Sequence, residues 1–221
     1  MIHSMSRVLY SIYIKVLLVV KPAVLFKKIN QLDWYQGTLH KWIEDQEFAS
    51  KAKLLEVGCA TGVLSEYLAE SDYAVTGVDA SKSMINAAIS NKYLAEYHVA
   101  DVSDLPFKDD VFDAVISASL INIVPDPLKA IAEMARVCKP GGCISILVPL
   151  QGFNNEKLQG LVDSLGIYGF SEAALNTWHN YAPKIDMKNV EIMYKDIGLN
   201  PTPAHDYLHG MIFSLAATKV F

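Results

Sequence analysis

The stretch KLLEVGCATGVLSEYLA, from Lys53 to Ala69, combines a short apolar run, a turn with two glycines and an apolar pattern of helical spacing. The run 53–57 is short enough for a strand buried on both faces, and the apolar residues after the turn recur on one face of a helix. Gly58 and Gly62 mark where the backbone bends sharply or approaches a ligand, because glycine has no Cβ to block either. The stretch therefore predicts a strand, a tight turn suited to a nucleotide-like ligand, and a helix.

This turn does not match the dinucleotide fingerprint G-x-G-x-x-G, which would need glycine in place of Ala60 and Val63. E-V-G-C-A-T-G, from Glu56 to Gly62, instead resembles motif I of the class I S-adenosylmethionine (SAM) methyltransferases, an acidic residue followed by G-x-G-x-G. Ala60 replaces the middle glycine, so we expect a backbone φ below zero at that position. A purely structural strand-to-helix turn is the alternative interpretation of the motif.

The next two predicted strands each carry an aspartate at or near the C-terminal end, and these acidic residues recur at nearly equal intervals along the chain. The apolar strand 74–78 ends at Asp79, 23 residues beyond Glu56, and the strand 95–102 carries Asp101, 22 residues beyond Asp79. At the switch point of a doubly wound sheet, a carboxylate at the tip of the second strand can accept hydrogen bonds from both ribose hydroxyls of a ligand. The alternative for Asp79 is a carboxylate that stabilises a helix N-terminus.

The resemblance continues to residue 150, through the D-L-P-F segment at 104–107 and the K-P-G-G turn at 139–142. It implies an α/β fold, namely a Rossmann-like, doubly wound, seven-stranded sheet with an antiparallel last strand, plus N-terminal helices. It implies SAM as the cofactor. The cofactor-binding residues that it implies lie in motif I and near the ends of the next three strands: Glu56, Gly58, Cys59, Ala60, Gly62, Asp79, Ala80, Met84, Asp101, Val102 and Ser117.

Two apolar-rich runs near the C-terminus, 204–208 and 211–219, are separated only by His209-Gly210, which predicts an antiparallel hairpin. The closing residues, HDYLHGMIFSLAATKVF, are similar to the C-terminus of the ubiquinone and menaquinone C-methyltransferases. Those enzymes carry Arg-Asn after strand four, where this chain has Asn122 and Ile123. The resemblance therefore supports the superfamily more strongly than it supports a quinone substrate.

Length and composition fit one globular domain, since 221 residues that are 52% hydrophobic can bury a sizeable core. Within 1–221 we expect a helical cap over 1–50, a SAM-binding core over 51–150, and substrate-side helices with the hairpin over 151–221. The net charge of −5 argues against a nucleic-acid-binding surface. Three oddly spaced cysteines argue against a disulfide framework or a zinc site, and favour a reducing cytoplasm.

The first 30 residues carry five basic side chains and no acidic one. Their apolar run 8–20 contains Lys15 and ends at Lys21-Pro22, short of the ~20 residues that a membrane span needs. As a helix it has one narrow polar stripe, so it must lie against protein or lipid. Three alternatives stay open for residues 1–30: packing on the domain, a dimer contact, or peripheral association with a membrane. The oligomeric state is not predicted.

The implied cofactor sets the predicted chemistry. A sulfonium methyl group is already electrophilic, so the protein must mainly hold a nucleophile in line with it and exclude water. His209 is a candidate base, because its turn should lie at the sheet end where the parallel strands finish. Tyr35, Asn122 and His179 are candidates for orienting the acceptor, and the resemblance implies that Trp34 and Tyr35 cover the methionine end of the cofactor.

The sequence therefore predicts a SAM-dependent methyltransferase for a small-molecule acceptor, lipophilic acceptors included. Two alternatives stay open: an enzyme of the same fold that transfers a group other than methyl, and a SAM-binding protein without turnover.

Overall fold

The computed structural model describes residues 2–220, with side chains from residue 7 onward, so the first and last residues of the predicted range 1–221 lie outside it. The helices are α1 (Ile2–Val20), α2 (Pro22–Ile29), α3 (Asp33–Glu44), α4 (Val63–Glu70), α5 (Lys82–Ser90), α6 (Pro127–Val137), α7 (Asn155–Leu165), α8 (Gly169–Tyr181) and α9 (Met187–Asp196). The strands are β1 (Lys53–Val57), β2 (Ala74–Asp79), β3 (Glu96–Val99), β4 (Phe112–Ala118), β5 (Cys138–Pro149), β6 (Asn200–Pro201), β7 (His205–Tyr207) and β8 (Ile212–Thr218).

All these strands belong to one sheet, with the order β3-β2-β1-β4-β5-β8-β6 and β7 also paired to β8. Strands β1 to β5 are parallel to their neighbours, whereas β8 runs antiparallel to β5. The strand order reverses between β1 and β4, and ligands of doubly wound sheets bind at that switch point, beyond the carboxyl ends of the strands. The predicted Rossmann-like sheet with an antiparallel last strand is confirmed.

The described sheet has eight strands rather than the predicted seven, because two short segments share its last edge position. β6 pairs with the C-terminal end of β8, and β7 pairs with the N-terminal end of the same strand. The chain between them, 202–204, contains Pro203, which has no N–H to donate to a ladder. The proline thus separates β6, which was not predicted, from β7, and the predicted hairpin is formed by β7 and β8.

The core fills both faces of the sheet. Leu54 and Leu55, adjacent in β1, are both fully buried, and they belong to two different hydrophobic clusters because successive side chains of a strand point to opposite faces. One cluster includes side chains of α1, α2, α3, α7 and α8, and the other includes side chains of α6 and α9. This arrangement explains why β1 is apolar without a period of two.

The N-terminal helices lie on the first of these clusters. α1 contacts α8 and buries Ile14 and Leu17, while α2 begins at Pro22, a residue favoured in the first helical turn. Between residues 2 and 220, no helix has both the length and the apolar character needed to cross a bilayer. Packing on the domain is therefore confirmed for one face of α1.

Candidate functional site

The motif I turn is built from three residues with positive φ: 81° at Gly58, 47° at Ala60 and 80° at Gly62. The predicted negative φ at Ala60 is therefore wrong. The left-handed conformation costs a residue with a Cβ on the order of 1–2 kcal/mol, and neighbouring bonds hold it in place. The N–H groups of Gly58 and Cys59 both donate to the carbonyl of Val78, at 2.8 and 2.9 Å.

Asp79 connects this turn to the helix that follows β2. Its Oδ2 accepts from the Ala60 N–H at 3.0 Å, and its Oδ1 accepts from the Ser81 N–H at 2.8 Å. Ser81 is the N-cap of α5, and its side chain accepts from the Met84 N–H. The Asp79 carboxylate is thus fixed at the tip of β2 beside a helix N-terminus, and it also faces a cavity.

That cavity, of about 530 Å³, lies at the carboxyl ends of β1 and β2, and we call it the cofactor cavity. Five predicted cofactor residues meet there, namely Gly58, Asp79, Ala80, Asp101 and Val102. The rest of its lining comes from the end of β1, the segments after β3 and β4, and the start of α6: Val57, Ala100, Ser103, Leu120, Ile123, Val124, Pro125, Asp126 and Lys129. Its volume falls in the range of small-molecule sites.

Asp101 is exposed at this cavity. Its Oδ1 accepts from both the N–H and the hydroxyl of Ser103, at 2.8 Å each. These two hydrogen bonds lower the pKa of Asp101, and the positive charge of Lys129 adds a smaller lowering effect. The carboxylate therefore stays ionised at neutral pH and can accept a hydrogen bond from a ligand amino group.

The other six predicted cofactor residues, Glu56, Cys59, Ala60, Gly62, Met84 and Ser117, lie outside the lining of the cofactor cavity. Ser117 is fully buried in β4, where its hydroxyl donates to the Val57 carbonyl at 2.8 Å. Met84 is buried on α5. Cys59 is also buried, and burial raises the pKa of its thiol well above the usual range. Their predicted roles in cofactor binding stay predictions.

Glu56 is a buried carboxylate behind the motif I turn. It is only 4% exposed, and the Ser65 hydroxyl donates to its Oε2. Burial raises the pKa of Glu56 to about 7, with a smaller opposing effect from the Ser65 hydrogen bond. Because the group titrates near neutrality, its charge responds to any cation placed beside it.

Different side chains pack against the two motif I glycines. A Cβ at Gly58 would lie 3.1 Å from Cδ2 of Leu120, a residue of the cofactor cavity. A Cβ at Gly62 would lie only 2.5 Å from the Tyr97 hydroxyl oxygen and would overlap its ring. The Tyr97 hydroxyl donates to the Gly62 carbonyl at 3.1 Å. Gly62 is thus required by packing against Tyr97, and not, as its place in motif I suggested, by space for a ligand alone.

A second cavity, of about 280 Å³, lies between the N-terminal helices, α8 and the segment after β4, and we call it the apolar chamber. It shares the Ile123 side chain with the cofactor cavity. Its remaining lining is mostly apolar or aromatic: Ile14, Leu18, Leu25, Phe26, Ile29, Trp34, Tyr35, Ser119, Asn122, Ala174, Thr177, Trp178, Tyr181 and Ala182.

Aromatic side chains of α3 and α8 form one wall of the apolar chamber. Trp34 stacks on Trp178 with ring centroids 5.9 Å apart, and Tyr35 meets Trp178 edge to face at 5.7 Å. The Trp34 Nε1–H donates to the Ser171 hydroxyl at 3.0 Å, which fixes the indole. α3 therefore closes this side of the chamber with rigid side chains.

Two of the predicted catalytic residues, Tyr35 and Asn122, meet in this chamber. Asn122 donates from Nδ2 to the Pro183 carbonyl at 2.9 Å, and its buried Oδ1 has no partner among the described residues. Burial and the charge of Glu56 raise the pKa of Tyr35 to about 12, against a smaller lowering effect of the Ser119 side chain. At neutral pH the chamber thus offers a phenol that donates a hydrogen bond and an amide oxygen that accepts one.

The two histidine candidates lie elsewhere. His209 is exposed in the turn between β7 and β8, at the predicted end of the sheet, but it lines neither cavity. His179 is buried against Phe153, with ring centroids 5.7 Å apart, and burial followed by the charge of Lys184 lowers its pKa. A role for either histidine in catalysis stays a prediction.

Sequence reasoning missed Leu120 and Ile123 of the segment after β4, and Thr177 and Trp178 of α8. The first pair had a usable signal, because loops at the carboxyl ends of strands flanking a switch point line the ligand site. The second pair had only a coarse signal, since α8 lies in the stretch 151–221 that was expected to carry substrate-side helices but matches no motif. Only the packing of α8 on α1 shows that it faces the chamber.

Comparison with known proteins agrees with this geometry. Residues 55–146 match a family described as "Methyltransferase domain". The chain is similar to a phosphatidylethanolamine N-methyltransferase of Cereibacter sphaeroides, with 37% identity over 105 residues, which cover 45% of this chain and 51% of that protein. It is also similar to a ubiquinone biosynthesis O-methyltransferase of Coxiella burnetii (strain Dugway 5J108-111), with 38% identity over 106 residues, which cover 46% of this chain and 45% of that protein.

The chain spans about half the length of these curated relatives. Among solved structures, a SAM-dependent methyltransferase of Aquifex aeolicus superposes with a TM-score of 0.65 and 18% identity, covering 86% of this chain and 96% of that one. The cofactor that these comparisons imply is SAM, and the cofactor cavity has the carboxylates and the volume to hold it. Residues 55–146 thus match a methyltransferase domain, and the chain has the fold of the class I SAM-dependent methyltransferases.

Proposed function

We propose that this protein transfers the methyl group of SAM to a lipophilic small molecule that binds in the apolar chamber. The observation that carries the proposal is the position of that chamber, which is walled by apolar and aromatic side chains and adjoins the cofactor cavity at Ile123. A nucleophile in the chamber would then lie next to the cofactor and away from bulk water.

The chain's own residues would hold the cofactor by its adenosyl end. Asp79, fixed by the Ala60 and Ser81 N–H groups, would accept from the ribose hydroxyls, and Asp101 would accept from the adenine amino group. When bound, SAM supplies an electrophilic methyl group, so the protein has to position the acceptor and exclude water.

The size of the chamber limits what it can enclose. About 280 Å³ is at the low end of small-molecule sites and suits a ring or a polar head with a few substituents. A long hydrocarbon chain would have to leave the chamber. The reactive part of a lipophilic acceptor would therefore bind inside, while its tail projects outward.

Asn122 and Tyr35 would orient that reactive part. The unpartnered Oδ1 of Asn122 can accept from a hydroxyl or amine of the acceptor, and Tyr35, with a pKa of about 12, can donate to an oxygen. The described lining of the chamber contains no carboxylate and no imidazole. The chamber therefore orients the acceptor, whose own acidity sets how much of it is nucleophilic at a given pH.

The names of the relatives support a lipophilic acceptor. One relative is named for methylation of phosphatidylethanolamine, one for ubiquinone biosynthesis and one, from Clavibacter sepedonicus, for demethylmenaquinone. All three names concern molecules with a small reactive head and a long apolar tail. A small chamber that encloses the reactive head and leaves the tail outside would suit such molecules.

The test is incubation of the protein with methyl-labelled SAM and fractions of a host lipid extract. We expect label in an organic-soluble product whose mass exceeds that of its precursor by one methylene, together with S-adenosylhomocysteine. Asp79→Ala serves as the control that should lose the product. A product with a different added mass would support transfer of another group. Tight SAM binding without any product, from lipid or water-soluble fractions, would support a SAM-binding protein without turnover.

A further inference from the structure

Over residues 7–20, the side of α1 that faces away from the protein is mostly apolar. Ile14 and Leu17 are buried, and the opposite side exposes a run of large apolar side chains at helical spacing. We call this run the α1 stripe: Leu9 is 61% exposed, Ile12 54%, Val16 52%, Val19 83% and Val20 66%. Such a stripe, which spans about 17 Å at 1.5 Å per residue, is unusual on a surface that faces only water.

Four lysines on or just after α1 and on α2 form no ion pair with a described carboxylate. Among the described residues, Lys15 and Lys27 donate to neutral groups, the hydroxyl of Tyr181 and the amide of Asn91. Lys21 and Lys28 form no ion pair with any described carboxylate. Of the five basic residues in 1–30, only Arg7 pairs with a carboxylate, that of Glu172 at 3.3 Å.

The chain beyond residue 30 is acidic overall. All 24 acidic residues of the chain lie beyond residue 30, together with 14 of the 19 basic ones. An anionic surface would therefore attract the α1 end and repel the rest of the molecule. A second copy docked symmetrically on the same stripe would instead bring the lysines of both copies together, which disfavours that occupant.

The mouth of the apolar chamber lies beside the α1 stripe. Leu18 and Tyr181 line the chamber and are also 50% and 64% exposed, so they form its rim. Leu18 directly precedes Val19 of the stripe, and Lys15 holds the Tyr181 hydroxyl at 2.7 Å. A bilayer that covers the stripe would therefore also meet the rim of the chamber.

We infer that the α1 stripe docks on an anionic lipid bilayer, with α1 lying in the plane of the membrane and the chamber open toward the lipid. The apolar side chains enter the interface, and the lysines lie at the level of the anionic head groups. The acceptor reaches the chamber from the bilayer, and its tail stays there. This last step rests on the proposed function, whereas the docking itself does not.

The docking test is co-sedimentation of the full-length protein with vesicles of phosphatidylcholine, alone or mixed with phosphatidylglycerol, at low and high salt. Ile12→Glu is compared with Ile192→Glu, because both side chains are 54% exposed and α9 packs on the other hydrophobic cluster. Lys21→Gln is compared with Lys195→Gln, which removes the same charge from an exposed position on α9.

We expect the parent protein to bind the mixed vesicles at low salt, to dissociate from them at high salt and not to bind vesicles of pure phosphatidylcholine. Ile12→Glu should lower the partition coefficient by roughly tenfold or more, and Lys21→Gln by roughly fivefold. The α9 variants should bind like the parent. Parent protein that stays in the supernatant, or equal binding by Ile12→Glu and Ile192→Glu, would overturn the docking.

Two further measurements test whether a second copy of the chain covers the α1 stripe and whether the acceptor is delivered from the bilayer. If the parent is a dimer in solution and Ile12→Glu is a monomer that binds vesicles unchanged, a second copy covers the stripe and the inference is wrong. If Ile12→Glu loses vesicle binding but methylates an acceptor embedded in vesicles at the parental rate, delivery from the bilayer is wrong. Sedimentation needs neither SAM nor acceptor, so failure of the proposed function leaves its result interpretable.

Discussion

The backbone N–H of Ala60 donates to Oδ2 of Asp79 at 3.0 Å, which joins the motif I turn to the tip of β2 at the edge of the cofactor cavity. The other carboxylate oxygen accepts from the Ser81 N–H. A carboxylate has about four lone-pair sites, so these two bonds leave acceptor sites for a diol. One side chain thus positions the turn and presents charge to the cavity.

SAM binding should depend on Asp79 more than on Asp101. The bidentate charged hydrogen bond to the ribose is worth roughly 1.5–3 kcal/mol in total, so Asp79→Ala should weaken SAM affinity by about one to two orders of magnitude. Asp101→Ala should cost less, because Asp101 is exposed and adenine keeps its other contacts. Titration calorimetry with SAM measures both. Equal affinity of the parent and Asp79→Ala would remove this assignment.

Much of the site follows from sequence because parallel strands must end at one edge of a sheet. Asp79 was assigned from its strand end and Asp101 from its strand end together with the family resemblance, and both line the cofactor cavity. Residues inside elements were harder, since the hydroxyl of Ser117 can bond the backbone of the next strand as readily as a ligand. The predicted conformation of Ala60 was wrong. Residue type alone favours a negative φ for alanine, but the hydrogen bond from the Ala60 N–H to Asp79 helps to hold the turn at a positive φ.

The apolar chamber depends on contacts between segments that are far apart in sequence. Ile14 of α1, Trp34 of α3 and Trp178 of α8 line one cavity, yet no local pattern links them. Their spacing predicts amphipathic helices and an apolar side for each one, but not which sides meet. The chamber could therefore be found only from the packed structure.

Gly62→Ala should destabilise the fold, because its Cβ would overlap the Tyr97 ring and φ is 80°. We expect a loss of about 2–4 kcal/mol in the free energy of unfolding, measured by urea denaturation. Adding Tyr97→Ala should cost less in the Gly62→Ala background than in the parent, since the clash disappears. Additive effects of the two changes would show that Tyr97 is not the obstacle.

Gly58→Ala is the matched comparison in the same turn. Its φ of 81° carries a similar strain, but its Cβ would meet the flexible Leu120 side chain at 3.1 Å. Because Leu120 can move, we expect Gly58→Ala to lose less stability than Gly62→Ala. Because Leu120 lines the cofactor cavity, we expect Gly58→Ala to lose more SAM affinity than Gly62→Ala. The reverse ranking of the two variants would contradict this division of roles.

Asn122→Leu should raise KM for the acceptor and leave SAM affinity unchanged. The change removes the free Oδ1 from the chamber at similar volume, and one lost hydrogen bond of about 1–1.5 kcal/mol corresponds to a rise of roughly tenfold. Steady-state kinetics with the acceptor and calorimetry with SAM measure the two effects separately.

Asn176→Leu controls for the loss of an amide that bonds a backbone carbonyl. Asn176 donates to the Glu172 carbonyl at 2.9 Å, as Asn122 does to that of Pro183, but it does not line the chamber. We expect kinetics close to those of the parent. If both variants raise KM equally, the effect comes from altered structure around α8 and not from the chamber.

Glu56 should give the fold a pH dependence between about pH 4.5 and 7. Burial raises the pKa of Glu56 from 4.5 to about 7, so in this window the folded state binds more protons than the unfolded state. Its contribution to stability is therefore fully present below pH 4.5, and it is lost as the pH rises through 7. The total change from this group is about 3 kcal/mol at most.

Glu56→Gln removes this titration and keeps an oxygen that can accept from the Ser65 hydroxyl. The free energy of unfolding of the variant, minus that of the parent, should therefore increase from pH 4.5 to pH 7 and level off above it. Urea denaturation at several pH values measures this difference, and Glu70→Gln, which removes an exposed carboxylate from α4, controls for net charge. A difference that stays constant across the window would mean that Glu56 is ionised throughout and that a neighbouring group compensates its burial.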